Sequence, residues 1–358
     1  MSRFLDASKK ILKPYQPGEQ LNDKKYVKLN TNESPFPASP LAVEAAALAA
    51  ENLRLYPDPE AKELNRALAE YYGVAPENVI TVNGSDDVLD FAFLAFCGRE
   101  TGAVFADVTY GFYPVFASLY NIEYEEIPLL QDLTVDVQGF IDAKGTVFIA
   151  NPNAPTGILL PLDKIREILR SKPDNIVVVD EAYIDFGGES AVPLIREFDN
   201  LLVTGTFSKS RSLAGARLGF GIASEEIIKD LNTIRYSTNP YNVNRMTAAA
   251  GIMSLKDKDY MLGNAAAIVE NREYTARRLR ELGFFVTDSK ANFIFAKSPD
   301  VGGEELYLKL KDRGILIRHF ARPERIAEFN RITVGTREQM DALIANIEEI
   351  LEEAHEKS

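Results

Sequence analysis

Four short runs of apolar, largely β-branched residues constrain the architecture most. They are "VITV" at 79–82, "VFIA" at 147–150, "IVVV" at 176–179 and "LLVT" at 201–204. Each is too short for a helix and stops at a polar cluster, the pattern of a buried strand. "GAVFAD" and "IEYEEIPL" have the same form. Before and between these runs lie segments with helical spacing: "AKELNRALAEYYG" closing at Gly73, "SDDVLDFAFLAFCG" and "LDKIREILRS". Strands alternating with helices predict an α/β fold whose sheet is mostly parallel and covered on both faces. Ligands of such sheets sit beyond the carboxyl ends of the strands. There the chain carries Asn83-Gly84-Ser85-Asp86, "NPNAPTG", Asp180-Glu181-Ala182-Tyr183 and "GTFSK". Four polar clusters therefore converge on one edge of one sheet.

The ends of the chain read differently. Residues 1–40 are rich in Pro, Asn and Lys and carry few helix signals, as expected of an extended arm. An Ala-rich helix follows at roughly 40–53, and a long helical stretch at about 258–282 ends at Gly283. After it come "FFVTDSKANFIFAK", "EELYLKLKDRG", "ILIRHF", "NRITVGT" and a final helical segment, a compact α+β pattern for a second, smaller domain.

The net charge of −13 argues against a nucleic-acid surface and against anionic membranes, both of which need clustered Lys and Arg. It leaves room for a local basic pocket. One cysteine, Cys97, inside an apolar run, permits no disulfide within the chain and suits a reducing cytoplasm. The two histidines, His319 and His355, with that one cysteine, offer no metal site of the usual kind. No apolar signal region or membrane-length run is present, so a cytoplasmic location is expected.

Lys209, in "TGTFSKSRSLAGARLGF", is the residue that needs a role. A phosphate loop requires a glycine directly before the lysine, and Ser208 stands there. The remaining choices are a solvated surface lysine or a Schiff-base lysine at the catalytic edge of the sheet. Asp180 is either a strand-end loop cap or a carboxylate held against a protonated ring nitrogen, as a pyridoxal cofactor requires. Tyr183 lies three residues on, in reach of the cofactor's phenolic oxygen. Ser85 reads as a helix N-cap, a position that also suits phosphate; Thr206, Ser208 and Arg217 are further donors.

The segments "PYQPG", "KLNTNESPFPASP", "LYPDP", "VNGSDD", "YGFYPVF", "NPNAPTG", "VVVDEAYIDF", "TFSKSRSLAGARLGF" and "RITVGT" carry a resemblance over about residues 14–336. The chain resembles the fold type I pyridoxal-phosphate aminotransferases, and within them the histidinol-phosphate branch. The resemblance implies a large domain (41–255) on a mostly parallel seven-stranded sheet and a small α+β domain (256–358). The arm (1–40) would contribute to the small domain and to dimer and substrate contacts. It implies pyridoxal 5'-phosphate as cofactor, small-molecule amino donor and keto-acid acceptor as substrates, and a homodimer.

It also implies residue roles. Lys209 would bind the cofactor covalently and shuttle the proton, Asp180 would pair with the ring nitrogen, and Tyr183 would contact the phenolic oxygen. Tyr110 would stack on the ring. The backbone of Ser85 and Asp86, with Thr206, Ser208 and Arg217, would hold the phosphate, joined by Tyr56 from the neighbouring subunit. Tyr15, Asn32, Arg318 and Arg331 would line the substrate pocket. One position departs from the family pattern. The Asn usual before "PTG" is Ala154 here, so either Asn153 takes its contact or Tyr183 acts alone. An aromatic amino-acid aminotransferase, a threonine-phosphate decarboxylase and a non-catalytic binding protein on the same fold remain alternatives.

Overall fold

A computed structural model describes residues 2–10 and 12–356. In chain order its strands are β1 (Val27–Lys28), β2 (Val79–Val82), β3 (Ala103–Ala106), β4 (Tyr124–Ile127), β5 (Thr146–Ala150), β6 (Val177–Asp180), β7 (Leu201–Thr206) and β8 (Gly219–Ala223). β9 (Phe285–Val286), β10 (Phe293–Lys297), β11 (Ile315–Leu316), β12 (Arg318–His319) and β13 (Asn330–Thr333) follow. Seven of them form one sheet in the order β2-β8-β7-β6-β5-β3-β4. β8 is antiparallel to both neighbours, and every other pairing in that sheet is parallel.

Alternation along the strands builds two cores. Val177 and Val179 of β6 pack on one face with Ile165 and Ile168 of the helix Leu162–Ser171. Val178 faces the other way, with Phe148 and Phe93 of the helix Ser85–Phe96. This is the two-residue period of a strand buried on both sides. Phe93 and Phe148 stack at 4.2 Å between ring centroids. Each such side chain contributes roughly 1.5–3 kcal/mol by leaving water. Only the edge strand β4 exposes most of its residues.

β8 was not foreseen from apolar runs, because its sequence is "GFGIA". It needs no helical crossover: an antiparallel neighbour can follow β7 after the short connection 207–218. Its glycines serve close approach. A Cβ on Gly219 would lie 2.2 Å from both Gly84 C and Ser85 N. β8 therefore lies directly against the start of the helix Ser85–Phe96. Gly84, the N-cap of that helix, holds a φ of 87° that a side chain would strain. The expected N-cap, Ser85, is instead the first helical residue, and no side chain caps this end.

A second sheet, β12-β13-β10-β9, is antiparallel. The helices Lys258–Glu281 and Arg337–His355 cover it, burying Leu279, Leu343 and Ile347 against Ile294 and Ile332. The second of these helices begins with a reciprocal cap between Thr336 and Gln339. The arm joins this smaller core. β1 pairs in parallel with β11, Leu29 is buried in the same cluster, and Thr333 N–H donates to Leu29 O at 2.9 Å.

Gly219→Ala should be destabilised by about 1–3 kcal/mol, the usual result of overpacking, because Gly84 and Ser85 are backbone that cannot move aside. Thermal denaturation of the variant checks this; an unchanged melting temperature would show that β8 does not press on the helix start.

Candidate active site

A cavity of about 540 Å3 opens at the carboxyl ends of the parallel strands. Its wall includes Ser85 and Asp86 after β2, Tyr110 after β3, Ala154 after β5, Asp180 and Tyr183 at β6, and Thr206, Ser208 and Lys209 at β7. All four polar clusters expected at one edge contribute to it. Arg217 enters from the start of β8, and Arg318 and Arg331 come from the smaller sheet. Tyr15 and Asn32 come from the arm.

Asp180 ends β6, the central strand, and is 5% exposed. Its carboxyl accepts from Ala182 N–H at 3.2 Å and from the Tyr113 hydroxyl at 3.4 Å. Among the described residues it makes no ion pair. Burial therefore pushes its pKa up to about 7, and the nearby Asp86 adds to the rise; Ala182 N–H, Tyr113 and Lys209 oppose it. Glu181 is also buried and raised, but is bonded away from the cavity to Ser190 Oγ and Ala191 N–H, both at 2.6 Å.

Lys209 is half-buried, with Nζ 5.6 Å from the Tyr183 ring centroid. A tight loop presents it: Phe207 N–H donates to Leu218 O at 2.9 Å and Leu213 N–H to Phe207 O at 3.0 Å. Beside it, Thr206 Oγ1 donates to Ser208 Oγ at 2.9 Å and accepts from Ser208 N–H at 3.1 Å. Arg217 lies across from these hydroxyls, 3.4 Å from Asp86 Oδ2. The helix Ser85–Phe96 points its uncapped N-terminus at the same end, where backbone N–H groups and the helix dipole favour an anion.

The rest of the wall is aromatic and cationic. The Tyr110 hydroxyl donates to Asp86 Oδ1 at 2.8 Å, and Tyr15 stacks on Phe112 at 4.5 Å. Arg331 donates to Asn30 O at 3.2 Å and sits over the rings of Phe293 and Phe320 at 5.4 and 5.5 Å. Its Nε is buried without a partner. Burial disfavours its charge, with the hydroxyl groups of Tyr183 and Tyr15 acting the other way. Arg318 gives two N–H groups to the arm, to Gln16 O at 2.9 Å and Pro17 O at 3.2 Å.

Two expected residues are not brought to this cavity. Asn153 is 3% exposed and turned away; it accepts from Thr109 and donates to Val108 O and Thr156. The expectation that Asn153 substitutes for the missing side chain is thus corrected: Ala154, not Asn153, faces the cavity. Tyr56 is 77% exposed and stacks on Tyr241, with its loop held by Arg245. Tyr113, fully buried beside Asp180, was missed. Its only signal was its place three residues after Tyr110, which core packing explains equally well.

The family model for aminotransferase class I and II matches residues 24–347. A histidinol-phosphate aminotransferase of Brachyspira hyodysenteriae is 47% identical over 353 residues, covering 98% of this chain and 99% of the relative. The chain belongs to the histidinol-phosphate aminotransferase family. The family's enzyme from Clostridium acetobutylicum is 44% identical over 352 residues, 98% of this chain and 100% of the relative. The crystal structure of the Sinorhizobium meliloti histidinol-phosphate aminotransferase in complex with pyridoxal-5'-phosphate superposes with a TM-score of 0.85 at 26% identity, covering 92% of each chain. The fold of this family is that of the fold type I aminotransferases, as expected.

The raised pKa of Asp180 has a sign for stability. The unfolded chain releases this proton near 3.8 and the folded chain near about 7. Between those values the folded state binds more protons, so stability falls as pH rises through that window. Asp180→Asn removes this contribution. The ligand-free variant should exceed the ligand-free wild type in stability at pH 8 by up to about 4 kcal/mol, and the gain should vanish below about pH 4. Urea unfolding at the two pH values checks this; equal stabilities at pH 8 would mean that the carboxyl is not held protonated.

Proposed function

We propose that this chain is a pyridoxal-phosphate-dependent transaminase that moves an amino group between histidinol phosphate and 2-oxoglutarate, giving imidazole-acetol phosphate and glutamate, in histidine biosynthesis. The observation that carries the reading is Asp180: a buried carboxyl without a cationic partner, on the same cavity as Lys209. A pyridinium nitrogen supplies the missing positive charge. The anion-binding end, with Ser85, Thr206, Ser208 and Arg217, suits the cofactor's phosphate, and the missing side chain of Gly84, whose Cβ would lie 2.6 Å from Arg217 Nη2, leaves that guanidinium room beside the helix start. Bound there, pyridoxal phosphate supplies an aldehyde that captures amines and a protonated ring that accepts an electron pair.

The chain's own residues do the rest. Lys209 Nζ anchors the cofactor and carries the proton that leaves the substrate carbon. Asp180 holds the ring nitrogen's proton, since a desolvated carboxylate is a strong partner for a buried cation. Tyr183 donates to the phenolic oxygen, and Tyr110 packs on the ring. The Ser85 and Asp86 N–H groups contribute to phosphate binding. Arg331 offers a flat, two-nitrogen fork to a substrate anion, supported by its unpartnered Nε and by the rings that hold it. Tyr15 and Arg318 complete the pocket with the arm.

A homodimer with composite sites belongs to the same reading. Leu53, Leu55 and Tyr56 are exposed on one short segment, and Tyr56 stacks on the exposed Tyr241, apolar surface of the kind that a second copy covers. Tyr56 would reach the partner's phosphate end across it.

Purified protein should show a visible absorption band that borohydride abolishes, and Lys209→Ala should lack both the band and turnover. A coupled assay with histidinol phosphate, phenylalanine and threonine phosphate sets the substrate. Turnover confined to phenylalanine, or release of CO₂ from threonine phosphate, would overturn it. Arg331→Lys should raise KM roughly tenfold to a hundredfold for glutamate and histidinol phosphate together, the value of one charge-assisted fork. Steady-state kinetics that leave both KM values unchanged would remove Arg331 from the anion site. Mixing Tyr56→Ala with Lys209→Ala should regenerate activity in hybrid dimers; a fully active monomer in sedimentation would end the dimer reading.

A further inference from the structure

Asn32 stands in the cavity wall in an uncommon conformation. It is 1% exposed and has a φ of 57°, a region that Asn tolerates better than most residues. Two bonds fix its backbone. Its N–H donates to Thr333 Oγ1 at 2.9 Å, and its carbonyl accepts from Asn292 Nδ2 at 3.0 Å. Two more fix its side chain. Thr333 Oγ1 donates to Asn32 Oδ1 at 3.0 Å, and Asn32 Nδ2 donates to the Tyr183 hydroxyl oxygen at 3.0 Å.

The directions of these bonds follow from proton supply. Thr333 Oγ1 already accepts the Asn32 N–H, and Asn32 Oδ1 is the one acceptor recorded for its single proton. The oxygen end of the amide must therefore face Thr333. The nitrogen end, which can only donate, faces Tyr183 and occupies a lone pair of the phenol oxygen. Tyr183 must send its own proton elsewhere. It lines the cavity and its hydroxyl has no other hydrogen bond among the described residues, so that proton is left for a ligand.

We propose that Asn32 is a positioning residue: it sets the polarity of the Tyr183 hydroxyl so that Tyr183 donates to the phenolic oxygen of the cofactor. This gives Asn32 a role beyond the expected one of substrate contact, and it rests on the cofactor reading above. Ala154 gives the relay its importance. That position carries no donor here, and Asn153 is committed to Thr109, Val108 and Thr156. Tyr183, set by Asn32, stands in for the side chain that is missing.

The test is a pH titration of the visible band of the lysine-bound cofactor in the holoenzyme. A donor on the phenolic oxygen stabilises the negative charge left there when the shared proton departs. Losing the donor raises the midpoint. Asn32→Asp keeps the shape and the backbone tolerance but turns a donor into an acceptor, which draws the Tyr183 proton away from the cofactor. The midpoint should rise by roughly one unit, as it should in Tyr183→Phe. The added charge alone could raise it, so the double variant decides. If the relay holds, the two shifts fail to add, because the hydroxyl through which Asn32 acts is already gone. Additive shifts overturn the proposal. Should Asn32→Asp not fold, Thr333→Val and Thr333→Ser carry the same test. The first frees the amide to turn and should raise the midpoint; the second keeps the hydroxyl and should leave it in place. An unmoved midpoint in Thr333→Val overturns the relay. A wild type with no lysine-bound band at all would sink the cofactor reading instead.

Discussion

A carboxyl group held in the middle of a desolvated sheet sets the terms for the rest of the structure. Asp180 ends the central strand of seven, with covered strands on either side. Among the described residues it has two neutral donors, at 3.2 and 3.4 Å. Burying such a group unpaired costs on the order of several kcal/mol, which the large apolar faces of the sheet offset. The same desolvation makes the group strong once a cation arrives, because little water remains to screen it. An edge strand could not do this: β4 is largely exposed, and a carboxylate there would stay hydrated. The site is central because the electrostatics require burial.

The smaller sheet supplies the other half, through the register of one strand. Thr333 and Arg331 are two residues apart on β13 and so share a face. Thr333 is paired with Phe293 and Arg331 with Phe295 on β10, while Ile332 between them points into the core. That one face anchors the arm through Asn32 and presents the Arg331 guanidinium to the cavity. A slip of one residue would turn both away from the cavity and put Ile332 on their face. Apolar packing of Ile332 thus fixes the geometry of two polar groups that never touch it. Arg318, on β12 beside them, holds the arm by two carbonyls, so the wall of the pocket and its support are one structure.

Sequence alone made the parallel part of the large sheet readable, because its strands are apolar runs ended by polar clusters. β8 escaped notice for a physical reason. "GFGIA" is shaped by the backbone of Gly84 and Ser85 pressing on Gly219, and close approach leaves no apolar pattern behind. Ser85 was misread as a cap by the same omission: the turn needs positive φ, which Gly84 supplies, and the serine moves one place into the helix. Lys209 and Asp180 were legible because Asp180 ends an apolar strand and Lys209 lies three residues past another. Tyr113 and the amide of Asn32 were not, since their roles depend on partners 67 and 151 residues away. Asn153 shows the limit of reading by adjacency. The chain turns at 154–156, closed by Gly157 N–H on Asn153 O, so a side chain next to the right position does not reach the cavity.

Charge is distributed against the average. The chain carries a net −13, yet the cavity wall gathers Lys13, Lys209, Arg217, Arg318, Arg322 and Arg331 against Asp86, Asp107 and Asp180. Within that wall the acids are not free to oppose an incoming anion. Asp107 is paired with Arg325 at 2.9 Å, Asp86 accepts from Tyr110 and Arg217, and Asp180 is held protonated by burial up to about pH 7. Among the basic groups, Arg331 keeps a buried Nε without a partner. An anion therefore meets repulsion over most of the surface and attraction at one opening. Low-dielectric walls concentrate that attraction. A chain of net negative charge with a cavity wall richer in cations than in free carboxylates is a selective arrangement. It follows from which carboxylates the fold neutralises and which guanidinium groups it leaves open.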